Sequence, residues 1–188
     1  MERHTRQAKL QQKLAQFHQR QWERSTQALL TTLEILPQEC NAFPTDHAFV
    51  QDCLQWLEQS FPWQWAQIDW VAVPQSQCRH WTSQESQIAA FTELCQIIQI
   101  NHLSQHPSPD PTVVVIWFNA NTPVLELPWT VVQRTMQCTS VGASSTIFEQ
   151  DSDTWIMDRQ AKWCLECHHE GTLCYGQSTH VTDRASGL

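Results

Sequence analysis

Apolar positions recur at helical spacing in the first half of the chain and at strand spacing in its last third. Leu10, Leu14 and Phe17 fall at i, i+4, i+7, and Trp22, Leu29, Leu30 and Leu33 continue the stripe less regularly. They predict one long helix over 4–35, stopped by Pro37. Its first half is polar on most sides, which fits a helix that projects from the domain or packs on a neighbour. Phe49, Val50, Cys53, Leu54 and Leu57 mark a second helix, from an N-cap at Thr45 to about Ser60. Trp-rich "WQWAQIDWVAV", 63–73, reads as a strand. "TSQE", 82–85, is a capping box, with Thr82 accepting from the Glu85 amide, and it opens a third helix with Ile88, Phe91, Leu94, Cys95 and Ile98 on one face. "SQHPSPDP", 104–111, is a loop. The continuous apolar run "TVVVIWF", 112–118, fits a strand covered on both faces. "LPWTVVQRTMQ", 127–137, is a short helix with Pro128 near its start.

The last third alternates. "STIFEQ", "TWIMD", "KWCLECHH" and "TLCYG" are four short strands separated by "DSD", "RQA" and "EG". They form an antiparallel meander. The expected class is α+β: N-terminal helices, a mixed central sheet and a closing meander, in a single domain over 1–188. Within it, 1–40 holds the long N-terminal helix and 177–188 is a flexible tail. A two-residue Glu170-Gly171 turn would pair Cys167 with Cys174 and Glu166 with Tyr175. One face of that hairpin then carries Trp163, Leu165, Cys167, His169 and Cys174. The other carries Lys162, Cys164, Glu166, His168 and Tyr175.

Composition narrows the function. Four glycines among 188 residues, with no GxGxxG and no GK[ST], argue against a phosphate-cradling loop. Charge is split along the chain. Arg3, Arg6, Lys9, Lys13, Arg20 and Arg24 against Glu2, Glu23 and Glu34 make the first 34 residues +3; the total is −8, so the remainder carries −11. A body this acidic repels nucleic acid and attracts a basic protein. No apolar leader follows the first basic residues, and the longest apolar run, Val113 to Phe118, is too short for a membrane span. The expected compartment is therefore the cytoplasm, with the eight cysteines as free thiols.

"KWCLECHHEGTLCYG", 162–176, concentrates the candidate chemistry. Cys167, His169 and Cys174 would share a face and are the candidate zinc ligands, with Cys138 or the Cys78-x-His80 pair as a source of the fourth. Cys164 and Cys167, three apart in a strand, point to opposite faces, unlike a zinc knuckle. Cys164, Glu166 and His168 line up on the other face, but a thiol beside a carboxylate is less ionised, so no catalytic residue and no cofactor are assigned. The acidic residues of the meander suit a partner surface better: Asp151, Asp153, Asp158 and Glu166, with His168 and Tyr175.

The closing pattern, "TWIMD", a short turn and then "KWCLECHHEGTLCYG", resembles the last strands of small bacterial immunity proteins, on Trp163, His169, Glu170 and Gly176. That resemblance implies a non-enzymatic protein that neutralises a toxin by covering it with an acidic surface. The alternative is a zinc- or thiol-dependent protein using Cys167, His169 and Cys174. A third role is self-association through the N-terminal helix.

Overall fold

The computed structural model describes residues 2–103, 106–119, 122–137, 146–148 and 152–178. Its frame is a seven-stranded sheet in the order β1-β6-β5-β7-β8-β9-β4, built from Asn41–Phe43 (β1), Gln77–His80 (β4), Thr112–Trp117 (β5), Val124–Pro128 (β6), Thr154–Asp158 (β7), Trp163–His168 (β8) and Thr172–Gln177 (β9). Every pairing among these strands is antiparallel, where a mixed sheet was expected. With the helices Glu2–Thr32 (α1), Ala48–Ser60 (α2), Gln84–Ile98 (α3) and Trp129–Gln137 (α4), the class is α+β and the chain closes in a meander, β7 to β9.

Side-chain alternation builds two cores, one on each face. On the first, Leu30 of α1 and Leu33 just after it, Phe91, Leu94 and Ile98 of α3, and Trp129 and Val132 of α4 pack on Val113, Val115, Ile156, Trp163, Leu165 and Leu173. On the second, Val50, Cys53 and Leu57 of α2 pack on Val114, Ile116, Trp155, Met157 and Cys164. The apolar run of β5 is covered on both faces, as its lack of alternation required. Arg134 of α4 donates two hydrogen bonds to Glu39, 2.8 and 2.7 Å long.

Several elements differ from the sequence reading. The stretch 63–73 is not one strand. Trp63–Gln64 (β2) and Gln67–Ile68 (β3) form a two-stranded hairpin with Trp65 and Ala66 at its tip, and turns follow to residue 76. This segment lies over the second face, with Ile68, Trp70 and Val73 in that core. The short strands β1, β4 and β6 pair at or near the sheet edges, where three to five residues give no clear periodicity. His47, not Thr45, caps α2. Ser83, not Thr82, caps α3, in a reciprocal box with Ser86. Of the expected strand "STIFEQ", residues 146–148 form a bend with Ile147 and Phe148 buried. The rest of it, and the tail from 179, lie outside the described residues. In α1, burial begins at Thr26; Leu10, Leu14 and Phe17 face solvent.

The β8–β9 register is shifted by one residue from the expected one. Gly171, at φ +95°, donates its amide to the carbonyl of His168, 3.1 Å away, and the loop holds three residues, 169–171. His168 pairs with Thr172, Glu166 with Cys174 and Leu165 with Tyr175. A one-residue slip exchanges the faces of a strand. Cys174 therefore joins Cys164 and Glu166, and Tyr175 joins Trp163, Leu165 and Cys167.

Candidate functional site

The face of the sheet under the β2–β3 hairpin carries rows of chemistry-bearing side chains. One row runs Trp155, Glu166, Cys174, Cys78 across β7, β8, β9 and β4. Cys78 and Cys174, directly opposite each other, are joined in a disulfide, which corrects the expectation of free thiols throughout. Cys53, Cys95, Cys164 and Cys167 are buried thiols. Burial pushes Cys95 and Cys167 up to about 12 and Cys164 well above the ordinary thiol range, so they carry no nucleophile.

Glu166 is the sharpest feature of that row. Its side chain is sealed in, 2% exposed, between two indoles: Trp70 donates to one carboxylate oxygen at 2.5 Å and Trp155 to the other at 2.7 Å. Desolvation outweighs both hydrogen bonds and pushes its pKa up to about 7. The segment after β3 supplies Trp70, and Gly176 makes room for it. A Cβ on Gly176 would lie 2.7 Å from Trp70 Cζ3 and 2.8 Å from Val73 Cγ1.

At the end of the sheet, Asp153 collects both histidines of the β8–β9 turn. Its Oδ1 accepts the backbone N–H of His169 at 3.0 Å and His169 Nδ1 at 2.7 Å. Its Oδ2 faces His168 Nε2 at 3.7 Å. The two imidazole rings stack with centroids 4.5 Å apart. His168 and His169 are adjacent, so a straight strand would separate them; leaving the strand at His169 puts both on the carboxylate. At the other end of β7, Asp158 accepts the amides of Gln160 and Ala161, each at 2.8 Å, and its second oxygen lies 3.6 Å from buried His106 Nε2. That distance is too long for a hydrogen bond.

Three grooves surround the β2–β3 hairpin. One, of about 410 Å³, is lined by Trp65, Phe118, Asp153, His168, His169 and Glu170 among others. A second, of about 270 Å³, includes Asp69, Val71, Glu166 and Glu170; the third, of about 530 Å³, is apolar, with Glu58 at its edge. Among the described residues lining them, none is Lys or Arg. A scan against protein-family models and a search of curated proteins both return no match to this chain.

The residues singled out from sequence do not form one surface. Asp158, Glu166 and Tyr175 are buried and Asp153 nearly so; a buried side chain offers no contact area to a partner. Tyr175 lies on the opposite face, hydrogen-bonded to His102. His168 is half-buried in the groove, and Asp151 lies outside the described residues. The metal set Cys167, His169 and Cys174 is also separated. Cys167 points to the α3 face, 3.5 Å from Gln87 Nε2, Cys174 is in the disulfide, and only His169 reaches the Asp153 cluster. Of the fourth-ligand candidates, Cys138 lies outside the described residues and Cys78 is bonded to Cys174. What the pattern missed is the aromatic rim: Trp65 is 95% exposed, Phe118 63% and Val71 99%. A single strand over 63–73 hides the hairpin tip that holds Trp65 out.

Proposed function

We propose that the protein is a non-enzymatic binding protein that docks a basic protein partner on the surface around the β2–β3 hairpin. The observation that carries this is Trp65. Its indole is almost wholly in water, and its backbone sits at φ +62°, a region that costs a non-glycine residue free energy. A side chain held out at two local costs fits an anchor awaiting a pocket. Around it stand Phe118, Val71, Asp69 and Glu170, in grooves without Lys or Arg among the described residues. An aromatic anchor inside an acidic surround suits a partner carrying Lys and Arg.

An immunity-type inhibitor of a basic toxin is the form of this reading that the C-terminal strands suggest. It would work in the cytoplasm of the cell it protects, under conditions that press the Cys78–Cys174 disulfide toward its thiols. Among the described residues no helix is long and apolar enough to cross a membrane. The test is affinity capture with the intact chain, the pair W65S/F118S and the pair D69K/E170K, each checked for an unchanged melting temperature. The expected result is a basic protein held by the wild type, lost from both pairs and eluted by salt, whose toxicity in cells is relieved by co-expression. Equal capture by all three, or retention indifferent to ionic strength, overturns it.

A further inference from the structure

We infer that Asp153, His168 and His169 form a site for a divalent transition metal of the kind, such as zinc or iron(II), that two imidazoles and a carboxylate bind. One ligand atom from each of the three residues lies within 4.8 Å of the other two. Bonds of 2.0–2.2 Å in a tetrahedral shell place ligand atoms about 3.4 Å apart, so the closure needed is a small rotation of the side chains. Asp153 Oδ2 and His168 Nε2, at 3.7 Å, are already close to that separation. Two imidazoles and one carboxylate are a zinc donor set, and with no thiolate in the cluster they do not suit soft Cu(I).

The surroundings supply what such a site needs beyond its ligands. The His169 backbone amide holds Asp153 Oδ1 with or without a metal, and Asp153 Oδ2 faces His168. His168 Nδ1 accepts the Glu170 amide at 3.3 Å, so the neutral ring carries its proton on Nε2. To bind a cation at Nε2 the proton moves to Nδ1. For that the Glu170 amide gives up its bond to Nδ1, and Glu170 Oε2, 3.9 Å from that nitrogen, closes to hydrogen-bond distance. A carboxylate, a histidine and a metal in line is the arrangement that fixes the tautomer and raises ligand basicity. All three residues line the groove that also holds Trp65 and Phe118. Lys and Arg do not line that groove among the described residues, while Glu170 and Asp153 do, so the local field favours a cation. The hydrogen bonds alone do not account for the cluster. Anchoring the turn takes one oxygen of Asp153, and His168 meets the other at a distance too long for a hydrogen bond.

The site does not depend on the docking reading, since its test uses the metal alone. Metal-stripped protein is titrated with Zn²⁺ by calorimetry and with Co²⁺ by visible absorption, and H168A, H169A and E170Q are compared with H47A as a control histidine. One equivalent is expected, with a Co²⁺ spectrum free of a thiolate charge-transfer band. H168A and H169A each weaken binding by more than about tenfold, E170Q by about tenfold, and H47A leaves it unchanged. Thermal melts run alongside show that the variants fold. A thiolate band, a stoichiometry below one, or equal binding by H168A, H169A and wild type overturns the site. Loss of partner capture in W65S/F118S with metal binding intact separates the two proposals.

Discussion

Glu166 sets the most specific behaviour at the scale of a residue. Its pKa rises to about 7 in the folded chain from an ordinary value near 4.5, so between those values the folded state holds a proton that the unfolded chain has released. Stability is then greatest toward pH 4.5 and declines as pH rises to about 7, by about 3 kcal/mol from this group alone. Chemical denaturation from pH 4.5 to 8 is expected to show that slope, and E166Q to flatten it; an unchanged slope in E166Q would assign it to another group. W70F removes a donor to the carboxylate, so the decline should extend to higher pH. Gly176 is a second decisive residue. A methyl there meets Trp70 and Val73 below 3.0 Å, and G176A is expected to lower stability by about 1–3 kcal/mol in urea unfolding.

Among the elements, β4 and α1 are the two whose roles the fold defines most sharply. β4 is an edge strand of four residues. It is held by its ladder to β9, by the Arg79–Glu93 ion pair to α3 at 2.7 Å, and by the disulfide. The disulfide closes a loop of 96 residues in sequence separation, so the unfolded chain loses substantial freedom to it. Reducing it, or replacing Cys78 and Cys174 together by Ser, is expected to lower stability by about 2–4 kcal/mol in calorimetry, and reductant should have no further effect on the double variant. For α1 the expectation is the reverse. Its packing starts at half-buried Trp22 and deepens at Thr26 and Leu30, with Leu33 buried just beyond its end. Deleting residues 1–16 should leave the melting temperature within a degree or two, because that deletion removes exposed side chains such as Leu10 and Leu14. A large drop would mean that this half of the helix packs on something.

For the molecule as a whole, the testable consequence of its charge is kinetic. An acidic body with Asp153 and Glu170 in the groove beside Trp65 should capture a basic partner at a rate that falls as salt rises, with a smaller effect on dissociation, measurable by stopped flow. The periodicity of α1, α2 and α3, the two-sided burial of β5 and the antiparallel course of β7, β8 and β9 were legible in the chain, because each depends on spacing along one element. So was the common face of Cys164, Glu166 and His168, which follows from alternation within one strand. Their environment was not legible. Glu166 read as an exposed carboxylate because the sequence does not show that the segment 63–76 folds over it and brings Trp70 to its oxygen. The register of β8 and β9 hung on whether Gly171 closes a two- or three-residue loop, and that single step moved Cys174 and Tyr175 to opposite faces. Residues 78 and 174 become neighbours only when strands far apart in the chain pair. By itself the sequence determined which residues share a face within a single helix or strand, since that follows from local backbone geometry. Tertiary structure alone decided which faces were covered, which carboxylates kept their water and which side chains met to make a site, because these are set by long-range pairing and desolvation.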